Sequence, residues 1–359
     1  MFIESLVIAG LVFGLSVWMT GRLSSASSRV RLLDHPNERS LHDRPVPRTG
    51  GLAILCGIAL GLALEVSLSL LGRGFNLLET RTSVWVIAMI LLLALVSLWN
   101  DRVDLTPGLR FVVHGLAAAG IVLGAGQSID SISIPFMGAR PLGLAAIPFT
   151  IICLMWMTNL YNFMDGMDGF AGGMTVLGFG FLCVLGLGSG QTFISLMSLL
   201  SVAVAAGFLL YNWPPARIFM GDVGSILLGF LAGTLSIIGI HEGRFDVWVP
   251  VLIFSPFIVD ATVTLFRRLL RGEKVWRAHR EHYYQRMVLS GWTHRKTVLV
   301  EYCLMIACGL SAILYTRAQQ SVRLTLIIVW AVIYGALALG VRAFERSGKV
   351  MAMREETQL

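Results

Sequence analysis

Charge is scarce in this 359-residue chain: Asp, Glu, Lys and Arg make up 14% of it, against about 25% in soluble domains. Hydrophobic residues fill 56%, more apolar surface than a soluble core could enclose. Cysteine is sparse as well. The five cysteines, at 56, 153, 183, 303 and 308, lie inside apolar runs with no paired spacing. That excludes a disulfide framework and a zinc ribbon and leaves them as small packing residues. The sequence has no long-period repeat, no low-complexity segment and no soluble insert between its apolar runs. The balance of charge is basic, +7 with the histidines neutral, yet the base-reading modules of nucleic-acid-binding proteins are missing. No nucleic-acid partner is expected. A lipid bilayer is, because cytoplasmic loops of membrane proteins collect Lys and Arg.

What the sequence does have is long apolar runs. Eleven stretches approach the roughly 20 residues a spanning helix needs: 2–20, 50–71, 83–99, 111–126, 143–158, 170–188, 193–211, 225–240, 247–266, 298–316 and 324–343. The first has no basic residue before it and no small-residue cleavage site, so a retained helix is expected rather than a signal peptide. The predicted fold is an all-α polytopic membrane protein of about eleven transmembrane helices, one domain over 1–359. Of the 28 Lys and Arg, six (Arg73, Arg81, Arg140, Arg244, Arg317 and Arg323) fall on one side of this arrangement and the other 22 on the opposite side. By the positive-inside rule the richer side is cytoplasmic, which puts the N-terminus outside and the C-terminus inside. The outer segment Ser128 to Pro141 alternates enough to predict a small hairpin.

Five polar clusters fall on that same cytoplasmic side. Asn159-Leu-Tyr-Asn162-Phe-Met-Asp165-Gly-Met-Asp168-Gly169 follows the fifth apolar run. On a helix, Asn162, Asp165 and Asp168 would share one face, a set suited to a divalent cation with oxygen ligands and equally to the cap of a solvated helix end. Asn212-Trp-Pro214-Pro215-Ala-Arg217-Ile-Phe219-Met-Gly221-Asp222-Val-Gly224-Ser225 joins the seventh and eighth. There Asp222 could hold a metal that bridges phosphates, Arg217 meet an anion and Phe219 stack on a base. A capped turn between helices would use the same residues.

Asn100-Asp101-Arg102-Val-Asp104 leads on to Arg110 after the third run, and places Asp101 where a carboxylate meets water. Local pairing in a surface loop is the alternative. Arg277-Ala-His279-Arg280-Glu-His282-Tyr-Tyr-Gln285-Arg286 could grip a pyrophosphate, arginine through its bidentate fork and histidine as a donor. A basic patch on anionic lipid is its plainer reading, and zinc held by His279 and His282 would need further ligands. The loop from Asp34 through His42 and Arg48 to Gly51 interleaves arginine with proline, a stiff collar able to meet a lipid phosphate. Asp260, near the inner end of the ninth run, either pairs with a basic residue or is functional. Coincidence on one side of the membrane favours a reaction between a soluble anionic nucleotide and a lipid phosphate.

The blocks DHPNERSLHDRPVPRTGG, NLYNFMDGMDG, NWPPARIFMGDVGS and AHREHYYQR, in this order, resemble the polyprenyl-phosphate N-acetylhexosamine-1-phosphate transferase superfamily, glycosyltransferase family 4. The likeness runs from Asp34 to Arg286 and is nearer the O-antigen and capsule-initiating branch than the muramyl-pentapeptide branch. It implies transfer of a sugar-1-phosphate from a UDP-N-acetyl sugar to undecaprenyl phosphate at the cytoplasmic face, with UMP leaving. It implies Mg²⁺, or Mn²⁺ in its place, held by Asp222 and Asn162, with Asp101, Asp165 and Asp168 in the catalytic acidic cluster. Phe219 would stack on uracil with Asp168 near the nucleotide, and His279, Arg280, His282 and Arg286 would contact pyrophosphate or sugar. Arg48 and its loop would face the lipid phosphate. Some related enzymes are homodimers. The family's usual pair of aspartates after the third helix reads Asn100-Asp101 here. A flippase or transporter, and a silent scaffold of a glycan assembly, are the competing classes. Transporters place their ionisable groups at the membrane midplane, and the clusters here sit at helix ends.

Overall fold

The computed structural model describes residues 2–25, 28, 30, 32–36, 40–103, 105–274 and 279–356, with the backbone alone for 2 and 347–356. Arg39, Asp104 and Arg277, which belong to the motifs above, lie outside the described residues. Helices α1 (Phe2–Ser24), α2 (Gly50–Leu70), α3 (Arg81–Val103), α4 (Pro107–Ala119), α5 (Ala146–Phe163), α6 (Phe170–Gly188), α7 (Thr192–Asn212) and α8 (Gly221–His241) come first. They are followed by α9 (Trp248–Ile253), α10 (Ser255–Leu270), α11 (Tyr283–Leu289), α12 (His294–Arg317) and α13 (Gln320–Glu356). Ten helices among the described residues are long and apolar enough to cross a membrane.

The ninth predicted span is the exception. It is not one helix but two, α9 and α10, parted at Phe254 with Pro256 opening the second. Proline lacks the N–H that would continue the helix and clashes with the preceding turn. The break is tied down by Ser255, whose hydroxyl donates to the Leu252 carbonyl at 2.7 Å and accepts from Tyr334 of α13 at 2.7 Å. Beyond the break α10 is two-faced. Asp260, Ala261, Thr264 and Arg268 are buried, while Val263, Phe266, Leu269 and Leu270 are exposed.

α8 is the axis of the bundle, with 94% of its apolar window buried, whereas α13 lies at the periphery with 6%. Lipid tails are as apolar as leucine, so helices in a bilayer are held by close packing rather than by hydrophobic exclusion. Glycine permits that approach here. A Cβ on Gly229 of α8 would stand 2.6 Å from the Tyr161 Cβ of α5. A Cβ on Gly51 of α2 would stand 2.4 Å from the backbone nitrogen of Gly224. Around that second contact the backbone N–H groups of Gly50 and Gly51 donate to the carbonyls of Phe219 and Met220 at 2.9 and 2.7 Å, and Phe219 N–H donates to Pro47 at 2.7 Å. The start of α2 is therefore capped by the segment that leads into α8 and carries Asp222.

Two small antiparallel pairs complete the fold. β1 (Leu33–Asp34) pairs with β2 (Val46–Pro47), so the first loop is folded back on itself. β3 (Ser131–Ile134) pairs with β4 (Gly138–Pro141), which is the predicted hairpin. Trp248 Nε1–H donates to the Ser133 carbonyl at 2.7 Å and fastens it to α9.

Candidate active site

All five sequence clusters, with α10 and the start of α12, line one cavity of ≈ 410 Å³. Of the residues named from sequence, Arg48, Asn162, Asp165, Asp168, Phe219, Asp222, His279 and His282 face it. The third cluster contributes Asn100, Leu105 and Arg110. Asp101, Arg217, Arg280 and Arg286 are not part of its wall.

Asp222, in the first turn of α8, is held by three side chains from three other segments. Its Oδ2 accepts from Asn100 Nδ2 at 2.8 Å and from Arg110 Nη1 at 3.0 Å, and its Oδ1 from Asn162 Nδ2 at 3.0 Å. The orientation of the Asn100 amide follows from its other end, where Oδ1 accepts the Leu105 N–H at 2.9 Å. The nitrogen must then be the atom that meets the carboxylate. Asn162 also donates to Ser225 at 2.9 Å, which leaves its carbonyl oxygen as the remaining polar atom.

The expectation that Asn162, Asp165 and Asp168 share a helical face is corrected. α5 stops at Phe163, and the chain turns through Gly169, whose φ of 74° lies in the left-handed region that glycine adopts without strain. Asn162 and Asp165 are half-buried at the cavity, while Asp168, also part of its wall, is buried. Burial, and then the charges of Asp222 and Asp34, push the Asp165 carboxyl well above the usual range. Asp168 accepts from the Ala216 N–H at 3.0 Å and lies 3.3 Å from Nδ1 of His294. Asn212 ties the same two segments together, accepting from Gly169 N–H and donating to the Ile218 carbonyl, both at 2.9 Å.

The remaining walls come from two loops. Arg48 donates to the backbone carbonyl of Asp101 at 3.2 Å, and it is Asn100, not Asp101, that faces the cavity. His42 lies against Phe219 with ring centroids 4.9 Å apart and planes tilted by 59°. On the other side Asp260 accepts the backbone N–H groups of Tyr283 and Tyr284 at 2.9 and 3.2 Å, and lies 3.2 Å from Nδ1 of His282. This fixes the turn that presents His279 and His282, whose rings are 4.8 Å apart. Asp260 thus takes a basic partner, His282 rather than the neighbouring arginines. Arg286 is drawn away from the cavity, with its Nε donating to Glu345 of α13 at 2.7 Å and its guanidinium over the Tyr283 ring. Arg217 and Arg280 are exposed.

Sequence reasoning gave no role to His294 and no individual role to Arg110, Asp34, His42 or Gln285, all of which line the cavity. Arg110 and the three first-loop or α11 residues at least sat inside quoted motifs; His294, in Gly-Trp-Thr-His-Arg-Lys, carried no signal. The rim also has an apolar side, formed by Phe163, Ala261 and Leu265. It continues over the exposed face of α10, which Trp156 of α5 joins through a 3.1 Å hydrogen bond to Thr262.

Residues 83–240, which carry most of these walls, match the model of glycosyl transferase family 4. Across 332 residues the chain is 32% identical to the probable undecaprenyl-phosphate N-acetylglucosaminyl 1-phosphate transferase of Bacillus subtilis, covering 91% of this chain and 89% of that one. It is 28% identical to the decaprenyl-phosphate N-acetylglucosaminephosphotransferase of Mycolicibacterium smegmatis, over 94% of this chain and 89% of that one. To a phospho-N-acetylmuramoyl-pentapeptide-transferase of Staphylococcus aureus it is 31% identical, over 50% of this chain and 55% of the other. A likeness that spans nearly the full length of such relatives, together with a bundle of long apolar helices around one polar cavity, makes this chain a member of the polyprenyl-phosphate N-acetylhexosamine-1-phosphate transferase family: a multi-pass membrane enzyme that transfers a phospho-sugar to a polyprenyl phosphate.

Proposed function

We propose that the protein transfers an N-acetylhexosamine-1-phosphate from a UDP-sugar to undecaprenyl phosphate, releasing UMP, at the cytoplasmic face of the membrane. N-acetylglucosamine is the first sugar to test, because it is the one in the names of the relatives that match over most of their length. The observation that carries the reading is the Asp222 cluster. A carboxylate is held by two amides and a guanidinium in a cavity with one polar and one apolar side. The cytoplasmic placement is supported by the split of Lys and Arg, since all the cavity loops lie on the side with 22 of the 28.

The donor set fits magnesium. Among the described residues no three His, Cys, Asp or Glu form a ready cage, but magnesium keeps several waters and binds through one or two carboxylates plus substrate phosphates. Asp222 and Asn162 would hold it, with Asp165 close enough for their charges to interact. Arg110 now supplies the positive charge at Asp222. When bound, the ion would withdraw charge from the diphosphate and ease the departure of UMP.

The chain's own residues divide the remaining work. Arg48 and Arg110 offer guanidinium donors to phosphate oxygens. Phe219, which lines the cavity beside His42, offers its ring to the base. The apolar rim of Phe163, Ala261 and Leu265 accepts the first isoprene units of the carrier. An oxygen of the lipid phosphate attacks the sugar-bearing phosphorus in line, and the bond to the UMP oxygen breaks. A phosphate monoester is largely ionised at neutral pH, with a second pKa of about 6, so the attack needs no strong base.

The test is UMP release by purified protein in nanodiscs with undecaprenyl phosphate, Mg²⁺ and a panel of UDP-N-acetyl sugars. Lipid-dependent release that EDTA abolishes and Asp222→Ala lacks is the expected result. Folded wild-type protein that releases no UMP with any donor would overturn the reading.

A further inference from the structure

We propose that His294 is a further substrate-binding residue. Its Nε2 meets an oxygen of the donor's nucleotide half, and Asp168 is the positioning residue that fixes its ring. This rests on the function proposed above and assigns one more residue to the same site.

The argument begins with the ring's two nitrogens. Nδ1 of His294 lies 3.3 Å from a carboxylate oxygen of Asp168. A carboxylate only accepts, so Nδ1 carries the hydrogen. Nε2 is then the atom left for a ligand, and His294 faces the cavity. A ring that carries both hydrogens donates from Nε2 as well as from Nδ1.

Both partners stand on rigid supports. Asp168 is buried and held by the Ala216 N–H. His294 is the first residue of α12, whose start is capped by the Thr293 hydroxyl accepting from Lys296 N–H at 3.2 Å. Tyr302, two turns along the same helix, donates to the Gly169 carbonyl at 2.6 Å. The helix that carries His294 and the turn that carries Asp168 are therefore fastened twice. An imidazole locked by a second contact behind it holds a ligand without first being ordered.

Position selects the nucleotide rather than the lipid. Asp168 and Asn212 both bond to the Pro214–Phe219 segment, through Ala216 and Ile218. His294 thus stands on the wall that Phe219 belongs to, whereas the apolar rim is built from α5 and α10. The acceptor is a phosphate oxygen or a base carbonyl, the same chemistry from two parts of one ligand.

The experiment is titration of UMP and of uridine into nanodisc-embedded wild type and His294 variants, alongside KM for each substrate. Glutamine carries an N–H donor near the Nε2 position and asparagine one near Nδ1. His294→Asn should weaken UMP binding about ten- to a hundred-fold, the range for one hydrogen bond to a charged group, and raise KM for the UDP-sugar while leaving KM for undecaprenyl phosphate unchanged. His294→Gln should keep most of the affinity. A loss for UMP alone assigns the phosphate; an equal loss for uridine assigns the base. If His294→Asn binds UMP and uridine as tightly as wild type, or if asparagine rescues and glutamine does not, the residue only braces Asp168 and the proposal fails. Wild type that binds neither ligand would overturn the parent function instead. Unfolding temperatures identify any variant that is merely misfolded, and Asp168→Asn, which weakens the anchor from the other side, should lower affinity in the same direction.

Discussion

Asn100 donates to Asp222 across 2.8 Å, and an aspartate in its place would turn that hydrogen bond into a repulsion. The amide lets Arg110 alone balance the carboxylate. With Asn100→Asp the pair would call for more positive charge, so Mg²⁺ should activate at about tenfold lower concentration. A titration of UMP release against Mg²⁺ reads the shift. An unchanged midpoint would mean that residue 100 does not act on the metal.

Removing Arg110 should have little effect on stability. Its side chain is about a third exposed and Asp222 a quarter, and partly exposed pairs contribute about 1 kcal/mol or less. Turnover is another matter, because the guanidinium is expected to move from Asp222 to the diphosphate. Arg110→Gln should lower kcat about a hundredfold with an unfolding temperature within a few degrees of wild type. It should also bind Mn²⁺ more tightly in the absence of substrate, a gain that electron paramagnetic resonance would detect.

Arg286 gives the opposite pattern. Its partner is Glu345 of α13 and its side chain is largely buried. Arg286→Ala removes this largely buried pair, a loss of about 1–3 kcal/mol allowing for the partial exposure of Glu345. The unfolding temperature should fall while KM for the UDP-sugar stays within about twofold. A large rise in KM at normal stability would restore this arginine to the substrate.

Asp260 takes two backbone N–H groups and stands beside His282. Asp260→Ala would leave those donors buried and unmet. The turn at 279–286 should then exchange its amide hydrogens faster, and kcat should drop by tenfold or more. Mass-resolved hydrogen exchange checks the first effect and UMP release the second. Unaltered exchange would show that other contacts hold the turn.

Gly51→Ala should prevent folding, because the new methyl would overlap the Gly224 backbone nitrogen, an atom no rotamer change can move. Gly10→Ala, on α1 with nothing within 4 Å of the added atom, should leave the yield of folded protein unchanged.

The loops that meet at the cavity were legible because each concentrates polar residues where an apolar run ends, and one side of the membrane gathers them all. The partners inside the cavity were not. Asn100 and Arg110 reach Asp222 across 122 and 112 positions, and no local pattern encodes such a pairing. Successive residues on a helix point about 100° apart, so only one of Asn100 and Asp101 could face the site. An evenly apolar span such as α3 has no polar stripe to say which. Pro256 did announce the break in the ninth span, but hydropathy averaged over a window is blind to it. His294 was invisible for a simpler reason: its chemistry comes from Asp168, 126 positions away.

Where Gly51 touches Gly224 there is no side chain to yield, and three backbone hydrogen bonds stitch the same place. The arm bearing Arg48 and the helix bearing Asp222 are therefore a single lever. Traffic of substrates and products has to be accommodated elsewhere, at the tip around Leu41 and His42, which rests on Phe219 by a ring contact, or at the elbow between α9 and α10. A crosslink that freezes the lever should leave the turnover clock running, and one that freezes the tip or the elbow should stop it.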